Sequence, residues 1–116
     1  MFATLLLAAL PSYIADTAIF ERVEVADELV VTTFGVIEDS RCNSPRLCFD
    51  DDRLIVAAIV RYQGREREYA IELGAPIYLD DGVLLLAGTA TPPREGGAIH
   101  LKDYRLDWAF EPYAEE

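Results

Sequence analysis

Apolar and polar residues alternate along most of this chain, which is the pattern of β-strands that bury one face. Strands are predicted at 17–25, 29–37, 54–62 and 66–73. The clearest alternation lies near the C-terminus, where four large apolar residues share one parity and mostly charged residues lie between them: Tyr104, Leu106, Trp108 and Phe110. Gly35 is a candidate β-bulge within its strand. No helix is predicted after residue 16.

Turn-forming residues separate these strands. Gln63-Gly64 fits the two central positions of a tight hairpin turn, because glycine tolerates positive φ. Asp80–Gly82 predicts the loop of a second hairpin, and the Pro- and Gly-containing segment 88–98 predicts a loop rather than a central strand. About seven short strands joined in this way predict an all-β fold, a single antiparallel β-sandwich or partly open barrel.

Composition narrows the class of partner. The chain has 116 residues, of which 52% are hydrophobic, so it can form one domain around one core. Its 21 acidic and 10 basic residues give a net charge of −11. Nucleic acid and anionic membrane surfaces are therefore excluded as expected partners, since both require a basic patch.

The N-terminal residues suggest export. Residues 2–10 are apolar except for one threonine, and the first charged residue is Asp16. This run is shorter than the about 20 residues that span a bilayer, so no stable transmembrane segment is expected. Its length is that of a signal-peptide hydrophobic region, which predicts residues 1–15 as a signal peptide, residues 16–116 as the domain, and a periplasmic or secreted location. Because no Lys or Arg precedes the run, the alternative is a short buried segment of a cytoplasmic protein.

Two cysteines enclose a short segment of turn-forming residues. Cys42 and Cys48 flank Asn43, Ser44 and Pro45 among others. In an exported protein this arrangement predicts a disulfide that closes a tight loop. So short a loop gains only about 2 kcal/mol from chain entropy, so the main effect would be to fix its shape. A reactive or metal-binding thiol pair, or two free thiols in a cytosolic protein, are the alternatives.

The sequence Asp39-Ser40-Arg41-Cys42, with Cys48 following, resembles a group of small exported bacterial proteins, many of them lipoproteins. Those proteins carry Asp-Ser-Arg-Cys-Pro, four further residues and a second cysteine. The resemblance extends from about residue 27 to 112 and includes the closing Asp103–Arg105 strand. It implies an all-β exported protein and no established reaction. This chain has Asn43 in place of the usual proline, and 49–52 in place of an aromatic-Ala-Gly segment.

Few residues are candidates for chemistry. Arg41 lies beside Asp39 and near an acidic run, Asp50, Asp51 and Asp52. An arginine so placed is most often a structural clamp, and the functional alternative is recognition of a carboxylate on a partner. The acidic run, even with Asp80 and Asp81, lacks the spacing of an EF-hand and is typical of a solvated turn. His100 has no nucleophile motif around it, so neither a catalytic residue nor a metal ligand is predicted.

The leading hypothesis is therefore a binding module without enzymatic activity or a cofactor. It would bind a protein or small molecule outside the cytoplasm through loops 39–52 and 88–98, since a rigid scaffold can hold such loops in place. The expected binding residues are Asp39, Arg41, Asp50, Asp51 and Asp52. One alternative is an inhibitor of an extracytoplasmic hydrolase, because a disulfide lowers the cost of ordering a loop. A third is a small metal-dependent hydrolase.

Overall fold

The structure is all-β, as the alternation predicts. A computed structural model describes residues 11–41, 52–93 and 99–114. In these ranges it has no α-helix, and a short 3-10 helix (Leu101–Asp103) precedes the last strand. The strands are β1 (Ser12–Ala18), β2 (Arg22–Ala26), β3 (Leu29–Asp39), β4 (Leu54–Tyr62), β5 (Arg65–Glu72), β6 (Ile77–Tyr78), β7 (Gly82–Thr89) and β8 (Arg105–Pro112).

The strands form two antiparallel sheets of four. One sheet has the order β1-β8-β7-β6 and the other the order β2-β3-β4-β5. They pack face to face, with β1 beside β2 at one side of the sandwich. The segment after β5 crosses to the other sheet, where the Gly74 N–H donates to the Leu86 carbonyl at 2.9 Å. The predicted antiparallel sandwich is confirmed.

The strand predicted at 17–25 is in fact two strands. β1 ends at Ala18 and β2 begins at Arg22, and the Glu21 N–H donates to the Ala18 carbonyl across the turn between them. Phe20 has a φ of 69° in this turn and is exposed. The turn directs β1 and β2 into different sheets. Periodicity could not show it, because the apolar residues on both sides of the turn keep the same parity.

Two bulges in β3 determine which way its last residues face. The predicted bulge at Gly35 is confirmed, since the β3–β4 register shifts between Thr33 and Gly35. A second shift lies between Val36 and Glu38. As a result Asp39 lies opposite Leu54, which is completely buried. Directly opposed residues share a face, so Asp39 belongs to the inner face of its sheet.

The core lies between the two sheets. All four apolar residues predicted for the C-terminal strand are buried, with Trp108 only 1% exposed, although Tyr104 lies just before β8. Each fully buried side chain of this size contributes about 1.5–3 kcal/mol. The hairpin turn predicted at Gln63-Gly64 is confirmed, with φ values of 52° and 82°. The facing strands contribute completely buried residues, including Leu29, Val31, Val56, Ala58, Ile71, Leu84 and Leu86.

The structure bears on the N-terminal prediction at one point only. Ser12, Tyr13 and Ile14 pair with Phe110, Ala109 and Trp108, so they belong to β1. Cleavage after Ala15 would divide this strand. Residues 1–10 lie outside the described residues, as do Cys42 and Cys48, and the signal peptide and the disulfide stay predictions. Within the described ranges, no helix is long and apolar enough to cross a membrane.

Substitution of Gly82 tests the packing of β7 against β8. A Cβ atom at Gly82 would lie 2.7 Å from the Phe110 ring and 2.8 Å from Pro112 Cα, and closer still to the Glu111 carbonyl oxygen. Gly82→Ala should therefore lower the free energy of unfolding by about 1–3 kcal/mol. Gly35→Ala is the matched control, because nothing lies within 4 Å of its added Cβ. Urea denaturation measures both variants, and equal effects would contradict this packing.

Candidate functional site

A group of buried and half-buried polar side chains joins the two sheets at one end of the sandwich. We call it the polar clamp, and its members are Asp39, Arg41, Thr91 and Tyr104. Asp39 ends β3 and Arg41 follows it by two residues, whereas Thr91 lies just after β7 and Tyr104 just before β8. The clamp thus connects one edge of the loop between β3 and β4 to the connection between β7 and β8.

Asp39 and Arg41 form a bidentate ion pair. The Arg41 Nε and Nη2 atoms donate to Asp39 Oδ1 and Oδ2 at 2.8 and 3.0 Å. The Asp39 side chain is only 14% exposed and the Arg41 side chain only 9%. The Tyr104 hydroxyl donates to Asp39 Oδ2 at 2.6 Å. Parallel hydrogen bonds of this kind fix the orientation of the guanidinium group as well as its position. The clamp predicted between Arg41 and Asp39 is therefore present.

Arg41 also reaches across to the second sheet. Its Nη1 atom donates to the Thr91 carbonyl at 2.6 Å. The Thr91 hydroxyl donates to the Asp103 carbonyl at 3.1 Å and accepts from the Arg105 N–H at 2.8 Å. The carbonyl and the hydroxyl of Thr91 are therefore both hydrogen-bonded. The bases of loops 39–52 and 88–98 are held in direct contact as a result.

The electrostatics of the clamp keep its groups in single protonation states. Burial alone would raise the pKa of Asp39, but hydrogen bonds from Arg41 and Tyr104 and the Arg41 charge lower it below its ordinary value. Burial and the hydrogen bond to Asp39 raise the pKa of Tyr104. At neutral pH Asp39 is ionised and Tyr104 is a neutral donor. Both groups are therefore poorly suited to proton transfer at neutral pH, and their hydrogen bonds hold chain segments in position.

The structure describes only some of the other acidic residues considered for the site. Asp52 is exposed, and its charge is one of the smaller causes that raise the pKa of Arg41, after the hydrogen bond to Asp39. Asp50 and Asp51 lie outside the described residues. Asp81 accepts from Tyr62 and Gln63 at the other end of the sandwich, so it does not join the acidic run. Among the described residues, no group of His, Cys, Asp and Glu is arranged to hold a metal ion.

Sequence reasoning missed two members of the clamp. It placed Tyr104 in the apolar core, although a buried tyrosine hydroxyl usually needs a partner, and this requirement was a usable signal. Thr91 gave no signal, because its role depends on a carbonyl and a hydroxyl whose surroundings come from other strands. His100, the only histidine, is exposed.

Comparisons of the chain with models of protein families, with curated proteins and with solved structures give no match. The resemblance to exported bacterial proteins therefore stays a prediction that depends on the cysteine motif.

Removal of Arg41 tests the clamp. Arg41→Ala would leave the Asp39 carboxylate with the Tyr104 hydroxyl and without its ion pair, and should lower the free energy of unfolding by about 2–4 kcal/mol. Arg41→Lys keeps the charge without the fork and should recover only part of this loss. Arg22→Ala is the control, an exposed arginine whose loss should change stability by about 0.5 kcal/mol or less. Trp108 fluorescence in urea reports unfolding, and a similar loss in the Arg22 variant would refute the clamp.

The pH dependence of stability gives a second test. Because the pKa of Asp39 is lowered in the folded protein, its contribution is fully present above its ordinary value of 3.8 and is lost as pH falls through the folded pKa. Asp39→Asn should therefore be clearly less stable than the wild type at neutral pH, and the difference should shrink under acid conditions. Urea denaturation over a pH series measures it. A difference that stays constant with pH would show that the ionised carboxylate is not what stabilises the clamp.

Proposed function

We propose that the protein is a binding module outside the cytoplasm that recognises its partner through loops 39–52 and 88–98. The observation that carries the proposal is the contact between Arg41 Nη1 and the Thr91 carbonyl at 2.6 Å. It brings together the bases of two loops that leave different sheets. Paired loops on a rigid sandwich are a common form of binding surface.

The polar clamp supports this function by fixing the geometry of the loops. Since Asp39 and Arg41 satisfy each other, they serve the loops as supports and are not themselves free to recognise a carboxylate. The direct contacts fall to residues further along the loops, and Asp50, Asp51 and Asp52 are the proposed contact residues. A partner with a basic surface would complement these carboxylates. The predicted Cys42–Cys48 disulfide would lower the ordering cost of the same loop.

The experiment compares two variants of equal charge. In the loop variant, Asp50, Asp51 and Asp52 are changed to Asn. In the control, three exposed acidic residues away from these loops are changed to the amides: Glu24→Gln, Asp27→Asn and Glu111→Gln. Both variants and the wild type are immobilised and exposed to an extracytoplasmic extract of the native host, and the captured proteins are identified by mass spectrometry.

The proposal expects a protein that the wild type and the control capture and that the loop variant captures at least tenfold less. Capture that is equal in all three, or lost equally in both variants, would contradict the role of the loops. Capture of a hydrolase whose turnover falls when the module binds would favour the inhibitor alternative, in which the same loops block an active site.

A further inference from the structure

A cleft lies at the end of the sandwich opposite the polar clamp. Its volume is about 460 Å³. It opens between β5 and β6, and we call it the arginine cleft. Its lining includes apolar, aromatic and charged residues: Val60, Tyr62, Arg65, Arg67, Tyr69, Tyr78, Leu79 and Asp80.

The strand register places both arginines on the inner face of their sheet. Arg67 lies opposite Val60, which is 2% exposed, and Arg65 lies opposite Tyr62. Directly opposed residues share a face, so Arg65 and Arg67 continue the inward parity of Ile71 further along β5. β6 has only two residues and leaves this half of β5 uncovered. The inner face therefore opens into the cleft here and does not close into core.

The two arginines have no partner within the described part of the chain. The other ion pairs in those ranges involve Arg41, Arg53, Arg61, Lys102 and Arg105. Neither Arg65 nor Arg67 makes an ion pair or a side-chain hydrogen bond there. Arg61, on the outer face of the same hairpin, pairs with Glu66 at 3.3 Å. In a chain of net charge −11, two arginines that line one cleft without a carboxylate partner are a distinctive arrangement.

Three tyrosines also line the cleft, Tyr62, Tyr69 and Tyr78, and hydrogen bonds fix the position of Tyr62. The Tyr62 hydroxyl donates to Asp81 Oδ2 at 2.8 Å, and the Gln63 side-chain amide donates to the same oxygen at 2.9 Å. Asp81 is thus held by neutral donors and forms no ion pair with either arginine in the described ranges. Burial and this hydrogen bond raise the pKa of Tyr62 to about 12, so the tyrosine stays neutral. Tyr78 is 72% exposed and presents its ring to solvent at the mouth of the cleft.

We propose that the arginine cleft binds a small organic anion, a carboxylate or phosphate group attached to a flat apolar body. Each guanidinium fork matches the two oxygens of such a group, and aromatic rings provide contact area for a flat body. The volume lies in the range of pockets that take small molecules. This site is separate from the loop surface of the proposed function, because it lies at the opposite end of the strands.

The test is a titration of the ¹⁵N-labelled full chain followed by two-dimensional NMR. The probes are phenyl phosphate and benzoate, which combine an anionic group with a ring, inorganic phosphate, which lacks the ring, and phenol, which lacks the anionic charge at neutral pH. Phenyl phosphate or benzoate should bind saturably and shift the amide signals of Val60, Tyr69 and Leu79, whereas the signal of Thr91 in the polar clamp should not move. Inorganic phosphate should bind about tenfold more weakly, and phenol should not saturate.

Variants of the arginines identify the source of binding. Arg67→Gln and Arg65→Gln should each weaken binding of the anionic probe about tenfold or more, because each removes a charged fork. Arg67→Lys keeps the charge and should bind with intermediate affinity. Arg61→Gln is the matched control, since it removes an equal charge from the outer face of the same hairpin, and it should bind as the wild type does. The amide spectrum of each variant shows whether it is folded.

Two results would overturn the proposal. One is the absence of saturable binding by both ring-bearing anions in the wild type. The other is binding that survives removal of both arginines, or that falls as much in Arg61→Gln as in Arg67→Gln. Failure at this cleft would leave the loop surface untouched, because the capture experiment uses substitutions at the other end of the molecule.

Discussion

The inner faces of the two sheets impose one constraint on the whole molecule: a side chain placed there must be apolar, satisfied by a polar partner or open to solvent. An unpaired polar group in the interior costs free energy that burial of its apolar parts does not recover. In the middle of the sandwich the constraint is met by apolar residues such as Trp108 and Leu86. At the two ends the same faces carry polar residues, and the ends meet the constraint differently.

At the loop end the polar residues satisfy one another. The bulges of β3 set Asp39 opposite the buried Leu54, and the carboxylate then needs partners from both sheets. Arg41 and Tyr104 supply them. A buried ion pair contributes little net stability compared with an apolar replacement, because desolvation offsets most of its attraction. Its directional hydrogen bonds nevertheless fix the position of the two sheets and their loops relative to each other. Apolar side chains could fill the same volume but would not fix these positions as narrowly.

At the opposite end the arginines remain open to solvent. Arg67 occupies the position that would extend the apolar face formed by Tyr69 and Ile71, but β6 is too short to cover it. Pro76 precedes β6 and the loop at 79–81 follows it directly, so the chain has little length there to form a longer strand. The short β6 leaves the cleft open, and the charged groups of its lining are the two arginines and Asp80.

How much of this could be predicted from the sequence depends on how local each feature is. Strands β3, β4, β5 and β8 and the Gln63-Gly64 turn depend on neighbouring residues, and these were predicted, whereas most of β1 was not. The break between β1 and β2 was missed because Ile19 and Val23 keep one parity through the turn. The inward position of Arg65 and Arg67 could have been predicted, because they alternate along β5 in step with Tyr69 and Ile71. The role of Thr91 could not be predicted, because its hydrogen-bond partners come from segments distant in sequence.

The distance between the two ends makes them electrostatically independent. β4 has nine residues and runs from the base of the cysteine-containing loop to the arginine cleft. At about 3.4 Å per residue its ends are about 27 Å apart. Exposed charges are screened over about 8–10 Å at physiological ionic strength, so Asp52 beside the loop end cannot neutralise Arg65 or Arg67. Because of the same screening, the net charge of −11 affects an anion in the cleft mainly through the carboxylates close to it. Asp80 is the carboxylate residue in the lining of the cleft. The charge of the cleft therefore depends on the groups near it, Arg65 and Arg67 against Asp80, and not on charges at the loop end.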